Sequence, residues 1–170
     1  MNRQGKFTIP KPKDHNCFAC GDTNSIGLNL QFYRKDDCIC SDITLGKDYE
    51  GWENVAHGGI ISTLLDEAMS WAIMYSQKEF IVTRKMTVKY VRPVLIGMPI
   101  IISGKTIGKP DPPKIKAKAE IRDDKGRLFV RSTGEFVMLP KEELTWIPEH
   151  YKDNMLSLFD QFEQRNSKAL

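Results

Sequence analysis

The stretch from His57 to Ala72, His-Gly-Gly-Ile-Ile-Ser-Thr-Leu-Leu-Asp-Glu-Ala-Met-Ser-Trp-Ala, constrains the fold of this chain more than any other. Ile60, Ile61, Leu64, Leu65, Ala68, Met69, Ala72 and Ile73 recur every three or four residues, so on a helix they form one broad apolar stripe. Such a helix must be buried, and the rest of the chain has to supply its cover. Asp66 and Glu67 are its only charges. An ionised carboxylate in a buried helix costs on the order of several kcal/mol unless it is paired or used. Helical spacing places Asp66 on one face with Ser62, Thr63 and Ser70, a polar notch beside the stripe. Gly58 and Gly59 let a ligand approach the backbone closely. The first-turn amides there carry the positive end of the helix dipole, which suits a carbonyl oxygen gaining negative charge.

Alternating apolar residues on both sides of this helix predict strands. Leu28, Leu30 and Phe32 form one run; Ile39, Ser41, Ile43 and Leu45 alternate with Cys38, Cys40, Asp42 and Thr44 in a second. Joined at Lys35-Asp36-Asp37, the two read as a hairpin. The helix is expected to end near Ser76 to Glu79. Four further strands follow over 81–91, 99–107, 114–121 and 128–139, separated by Gly97, a proline-rich turn at 109–113 and Asp123-Asp124-Lys125-Gly126. In the third of these, Ile115, Ala117, Ala119 and Ile121 alternate with Lys114, Lys116, Lys118 and Glu120, giving the one dry face and one wet face of an antiparallel sheet. Tyr151, Met155, Leu158, Phe159 and Phe162 predict a short amphipathic helix near the C-terminus. The expected architecture is α+β: an antiparallel sheet of about six strands wrapped around one long helix, plus that C-terminal helix. Residues 1–16 read as an N-terminal arm, 17–140 as the domain and 141–170 as a helical extension.

At 170 residues, 41% hydrophobic and 28% charged, the chain can bury a core without metals or disulfides. A net charge of +3 gives no reason to expect a nucleic-acid partner. The basic N-terminus is followed by no apolar segment, and no apolar run approaches the roughly 20 residues that span a bilayer, so no membrane association and a cytoplasmic location are expected. The four cysteines are then reduced thiols. Cys17-x-x-Cys20 with Cys38-x-Cys40 offers four thiolates to a zinc ion. Residues two apart on a strand, however, lie about 7 Å from each other and chelate poorly, so no metal and no cofactor are expected.

Several motifs stand in a fixed order: Cys17-x-x-Cys20-Gly21 with Asn24 and Gly27-Leu28, then Tyr49-Glu50-Gly51, then His57-Gly58-Gly59 with an acid nine residues after the histidine, then Thr83 to Tyr90 ending in Arg92-Pro93. Together with the element order, this set resembles the hotdog-fold acyl-CoA thioesterases, the superfamily of the 4-hydroxybenzoyl-CoA and phenylacetyl-CoA thioesterases. The resemblance implies hydrolysis of an acyl-CoA to a free acid and coenzyme A. Asp66 would be the general base or nucleophile, a backbone N–H of Gly58 or Gly59 would polarise the thioester carbonyl, and Thr83 would orient the attack. It further implies a homodimer joined edge to edge, often paired again into a homotetramer, with Asp66 of one subunit facing the His-Gly-Gly turn of the other.

His57 is read as positioning the loop before the helix. Gly51 stands where some relatives carry Asn, which leaves Asn54 or Asn24 as substitutes. Lys85, Lys89 and Arg92, with Arg84 nearby, would suit the phosphates of coenzyme A, or form a solvated sheet face. Glu67 is expected to pair with Lys85 or Arg84 and is the reserve acid. Trp52, Trp71, Met74 and Phe80 are candidates for lining an acyl pocket. The competing functions are a non-catalytic acyl-CoA-binding module and an enoyl-CoA hydratase, the latter needing an Asp–His pair that is not seen near the helix.

Overall fold

A computed structural model describes residues 7–167. The strands preceding the long helix are β1 (Phe7–Thr8), β2 (Tyr33–Lys35), β3 (Cys38–Thr44), β4 (Glu50–Trp52) and β5 (Val55–Ala56). The helix α1 (Gly58–Gln77) is followed by β6 (Phe80–Tyr90), β7 (Pro99–Asp111), β8 (Lys114–Arg122), β9 (Leu128–Leu139) and the helix α2 (Glu149–Ser167). One antiparallel sheet has the order β1-β2-β3-β7-β8-β9-β6, and β4 and β5 form a small hairpin leading into α1.

The apolar stripe of α1 does what its spacing requires. Ile61, Leu64, Leu65, Ala68, Met69 and Ile73 are buried against the sheet, which curls so that α1 packs on β3, β7, β8, β6 and β9. Facing them are Ile100 and Ile102 of β7, Ile115 to Ile121 in alternation on β8, and Val130 and Phe136 of β9. His57 caps the start of α1 by accepting the Gly59 N–H, and Lys78 ends it in the left-handed region, φ 58°.

Strand and helix backbones touch at Gly104 of β7, where a Cβ would sit 2.3 Å from the carbonyl oxygen of Ala68 and 2.5 Å from its carbon. Both obstacles are main chain and neither can turn aside. Gly104→Ala is therefore expected to cost about 1–3 kcal/mol by overpacking, lowering the thermal midpoint by roughly 2–4 °C for each kcal/mol. An unchanged melting curve would remove this contact from the account.

Two expectations about the N-terminal part are corrected. In the run Leu28–Phe32 the apolar residues Leu28, Leu30 and Phe32 are buried, but it is not a sheet strand: Asn29 turns left-handed, φ 44°, and the amides are spent elsewhere, Leu28 donating to the Phe18 carbonyl and Leu30 to that of Ala19. Pairing begins only at Tyr33, which lies opposite Cys40. Phe7–Thr8, expected as part of an arm, adds a short edge strand on β2, so the sheet has seven strands rather than about six. Residues 1–6 lie outside the described residues.

α2 is longer than expected and docks on the body. Phe162, fully buried, meets Tyr75 at 5.0 Å between ring centroids and Trp71 at 6.4 Å, while Phe159 meets Phe80 at 5.5 Å. Trp71 also stacks on Phe32 at 4.7 Å. Trp71 and Phe80 are thus core residues under α2 and do not line an acyl pocket; Trp52 is 84% exposed on β4. At the other side of the molecule β6 is the last strand, paired with β9 alone, and Val82, Tyr90 and Val91 are exposed there. Among the described residues no helix is long and apolar enough to cross a membrane.

Candidate active site

The entrance of α1 is built by the β4–β5 hairpin, whose last amide, that of Ala56, bonds to the Val94 carbonyl before the His57 amide bonds to that of Tyr49. His57 Nδ1 then accepts the Gly59 N–H at 2.9 Å. Of the two glycine amides, that of Gly59 is thereby occupied, and that of Gly58 has no partner among the described residues. Tyr90 of β6 donates to the Gly58 carbonyl at 2.8 Å and lies 2.8 Å from Ser62 Oγ. Gly58, Tyr90, Arg92 and Val94 line a shallow open cleft here.

Two turns along α1, Asp66 accepts a hydrogen bond from Thr83 Oγ1 at 2.8 Å. Burial raises the Asp66 pKa above the ordinary carboxylate value, and the Thr83 hydroxyl partly opposes this by favouring the ionised form. A carboxylate kept basic, half-buried and held by one hydroxyl is equipped to take a proton. The notch around it differs from the expected one. Ser62 and Thr63 turn their hydroxyls back to the Gly58 and Gly59 carbonyls, each at 3.0 Å, as hydroxyls inside helices often do. Thr83 is the partner that Asp66 has in their place.

Gly58 and Asp66 are eight residues apart on one helix. At a rise of 1.5 Å per residue that separation is about 12 Å. A reacting carbonyl must lie roughly 3 Å from both its base and its oxyanion donor. The two groups of a single chain cannot meet on one carbonyl.

The basic residues separate. Arg92 is at the cleft and donates to the Leu128 carbonyl at 2.6 Å. Lys85 and Lys89 are not brought to it: Lys85 lies with Thr87, Lys116 and Glu135 along a groove on the outer face of the sheet, away from α1. Asn54 occupies the turn between β4 and β5 with φ 63°, its N–H bonded to Glu50 and its carbonyl to the Ile96 amide. Asn24 is bonded within its own loop, to the Asn16 carbonyl and the Ile26 amide. Glu67 pairs with neither Arg84 nor Lys85, both exposed on β6. One step of about 100° around the helix turns it away from that edge, and it accepts the Trp71 Nε1–H at 2.9 Å.

Comparison with known proteins bears on the fold that carries this geometry. The family description "Thioesterase superfamily" matches residues 53–108, the segment that holds the His-Gly-Gly turn, α1 and β6. A solved thioesterase superfamily protein is 26% identical over 67% of this chain, with a TM-score of 0.63. The chain spans only 56% of that protein's length. The PaaI protein of the Escherichia coli phenylacetic acid degradation operon superposes with a TM-score of 0.62 at 17% identity, covering 70% of this chain and 86% of its own. The chain has the hotdog fold of the thioesterase superfamily. A Streptococcus pneumoniae hypothetical thioesterase, solved with coenzyme A, aligns with a TM-score of 0.59 at 17% identity over 65% of this chain and 88% of its own. No curated protein sequence matches.

Within this hotdog frame Gly51 sits tightly against the helix cap. A Cβ on Gly51 would lie 3.1 Å from His57 Cα and 3.2 Å from its Cδ2, so a side chain there needs the capping histidine to give way by a few tenths of an ångström. Tyr90, which ties the far end of β6 to the start of α1, was missed in the sequence. A shift in register between Thr83 and Lys85 is the cause. Before it Thr83 faces the helix; after it Met86, Val88 and Tyr90 do.

Proposed function

We propose that this hotdog protein is a thioesterase that hydrolyses an acyl-CoA to a free acid and coenzyme A, with active sites shared between two subunits. The observation that carries the reading is Asp66: a half-buried acid of raised pKa, held by Thr83 beside the open edge strand β6. An exposed strand of eleven residues is a ready surface for another strand. Pairing β6 with its copy across a two-fold axis brings Asp66 of one subunit toward the Gly58 amide of the other, which answers the about 12 Å separation within a chain.

In this site the Asp66 carboxylate removes a proton from water as the water oxygen bonds to the thioester carbon. The Gly58 N–H stabilises the oxyanion that forms, the C–S bond breaks, and the departing thiolate takes up the proton. Direct attack by Asp66 is the variant route. A single turnover in ¹⁸O-labelled water separates the two, since only direct attack leaves label in the Asp66 carboxylate. Arg92, at the cleft, is placed to meet a phosphate of coenzyme A. The presence of coenzyme A in the Streptococcus pneumoniae neighbour supports that ligand class.

The test is release of free thiol from a panel of aliphatic and aromatic acyl-CoAs. Hydrolysis of none of them, with binding retained, would make the protein an acyl-CoA-binding module. Because Asp66 must be ionised to act, activity is lost as pH falls through its raised pKa. Thr83→Val removes the hydrogen bond that favours the carboxylate, so the acid limb of kcat/KM is expected to move to higher pH. A limb that stays or moves lower would take Thr83 out of the site.

A further inference from the structure

We propose that His15, Cys17, Cys20 and Glu67 form a tetrahedral zinc site that fastens the N-terminal loop to a face of α1 turned about 100° from Asp66. The sequence pairs Cys17 and Cys20 most naturally with Cys38 and Cys40, but the fold gives them other companions. Cys17 Sγ, Cys20 Sγ and a carboxylate oxygen of Glu67 all lie within 4.8 Å of one another, the one such grouping among the described residues. His15 Nε2 stands outside that grouping but lies 3.4 Å from Cys20 Sγ, so as fourth ligand it closes in on the other two. With Zn–S near 2.3 Å and Zn–N near 2.0–2.1 Å, adjacent ligands of a tetrahedral zinc are separated by about 3.5 Å. The histidine and cysteine are already at that spacing.

The surroundings are those a metal needs. His15, 6% exposed, turns its other ring nitrogen, Nδ1, toward Asp22, 3.7 Å from its carboxylate. At that distance Nδ1 is not hydrogen-bonded; Asp22 holds the His15 main chain instead, accepting its N–H at 3.2 Å. The Trp71 Nε1–H holds the Glu67 carboxylate at 2.9 Å. Gly21 closes the loop so tightly that a Cβ would meet the His15 carbonyl oxygen at 2.4 Å and that of Cys17 at 2.5 Å. Two thiolates, a carboxylate and Zn²⁺ leave one negative charge, and the Lys11 ammonium stands beside them, bonded to the Cys20 and Leu30 carbonyls at 2.6 and 2.7 Å. A redox dithiol would need only the two cysteines. A buried histidine against one sulfur and an acid beside both favour the metal.

The experiment strips the reduced full-length chain with a chelator, titrates it with zinc chloride and counts bound metal by mass spectrometry, with cobalt(II) as the spectroscopic probe. The expected result is one zinc per chain and, with cobalt, a thiolate-to-metal charge-transfer band with tetrahedral d–d absorption. Cys17→Ser and Cys20→Ser should abolish the band, and Cys38→Ser should leave it intact. His15→Ala, which removes the fourth ligand, should weaken zinc binding and shift the d–d absorption. The absence of stoichiometric zinc on the wild-type chain would overturn the proposal. So would binding indifferent to Cys17→Ser and Cys20→Ser in folded protein, or a reversible Cys17–Cys20 disulfide with no zinc uptake.

Discussion

Asp66→Asn should lower kcat for acyl-CoA hydrolysis by about 10²–10⁴-fold, the usual contribution of a general base, with KM little changed. Asn is isosteric with Asp, and its carbonyl oxygen can still accept the Thr83 hydroxyl, so the fold and the local hydrogen bond persist. Only the ability to take a proton or to attack is lost. Burial gives the substitution its force: an acid whose pKa lies above the ordinary value binds a proton more firmly than an exposed aspartate. Glu67 does not substitute, because its carboxylate is turned to Trp71 and the Cys17–Cys20 loop. Steady-state kinetics on a variant shown to be folded by circular dichroism is the measurement. Undiminished turnover would place the base elsewhere.

Trp71→Ala is expected to be the most damaging single truncation for stability, costing about 3–5 kcal/mol. The side chain is 2% exposed and joins three parts of the chain that are far apart in sequence: Phe32 before β2, α1 itself, and Phe162 of α2. Removing the indole opens a cavity where these meet and takes the hydrogen bond from Glu67, whose pKa burial, with the Cys17 sulfur next, has already pushed up to about 7. The thermal midpoint should drop by roughly 2–4 °C for each kcal/mol lost. A midpoint that barely moves would mean that α2 does not dock as described.

How far the sequence could be read varied with the distance over which each feature is determined. The helix and the strands after it were legible, because their periods of 3.6 and 2 are local and their breaks carry Gly, Pro and Asp. Leu28–Phe32 misled because alternation reports burial, whereas a strand also needs a ladder, and the Leu28 and Leu30 amides are bonded to the cysteine loop. Asp66 stood out as a charge in an apolar stripe; its partner Thr83 entered only through the resemblance. The basic strand was left open in the sequence between a phosphate-binding cluster and a solvated face. Strict alternation puts Thr83, Lys85 and Lys89 on one face, and the irregularity between Thr83 and Lys85 separates them. Nothing local announces such a bulge. Glu67 was assigned to β6, since its true neighbours come from a loop some fifty residues earlier in the chain.

The spacing of Gly58 and Asp66 along α1 has a consequence for how the subunits of the proposed dimer depend on each other. Each helix lends its beginning to one site and its middle to the other, so damage to the two ends is distributed differently in mixed dimers. A chain lacking the Asp66 carboxylate, paired with a chain whose His-Gly-Gly turn is disrupted, carries both defects in one site and neither in the other. Two inactive proteins would then complement each other on exchange of subunits, which a site contained within one chain could never do.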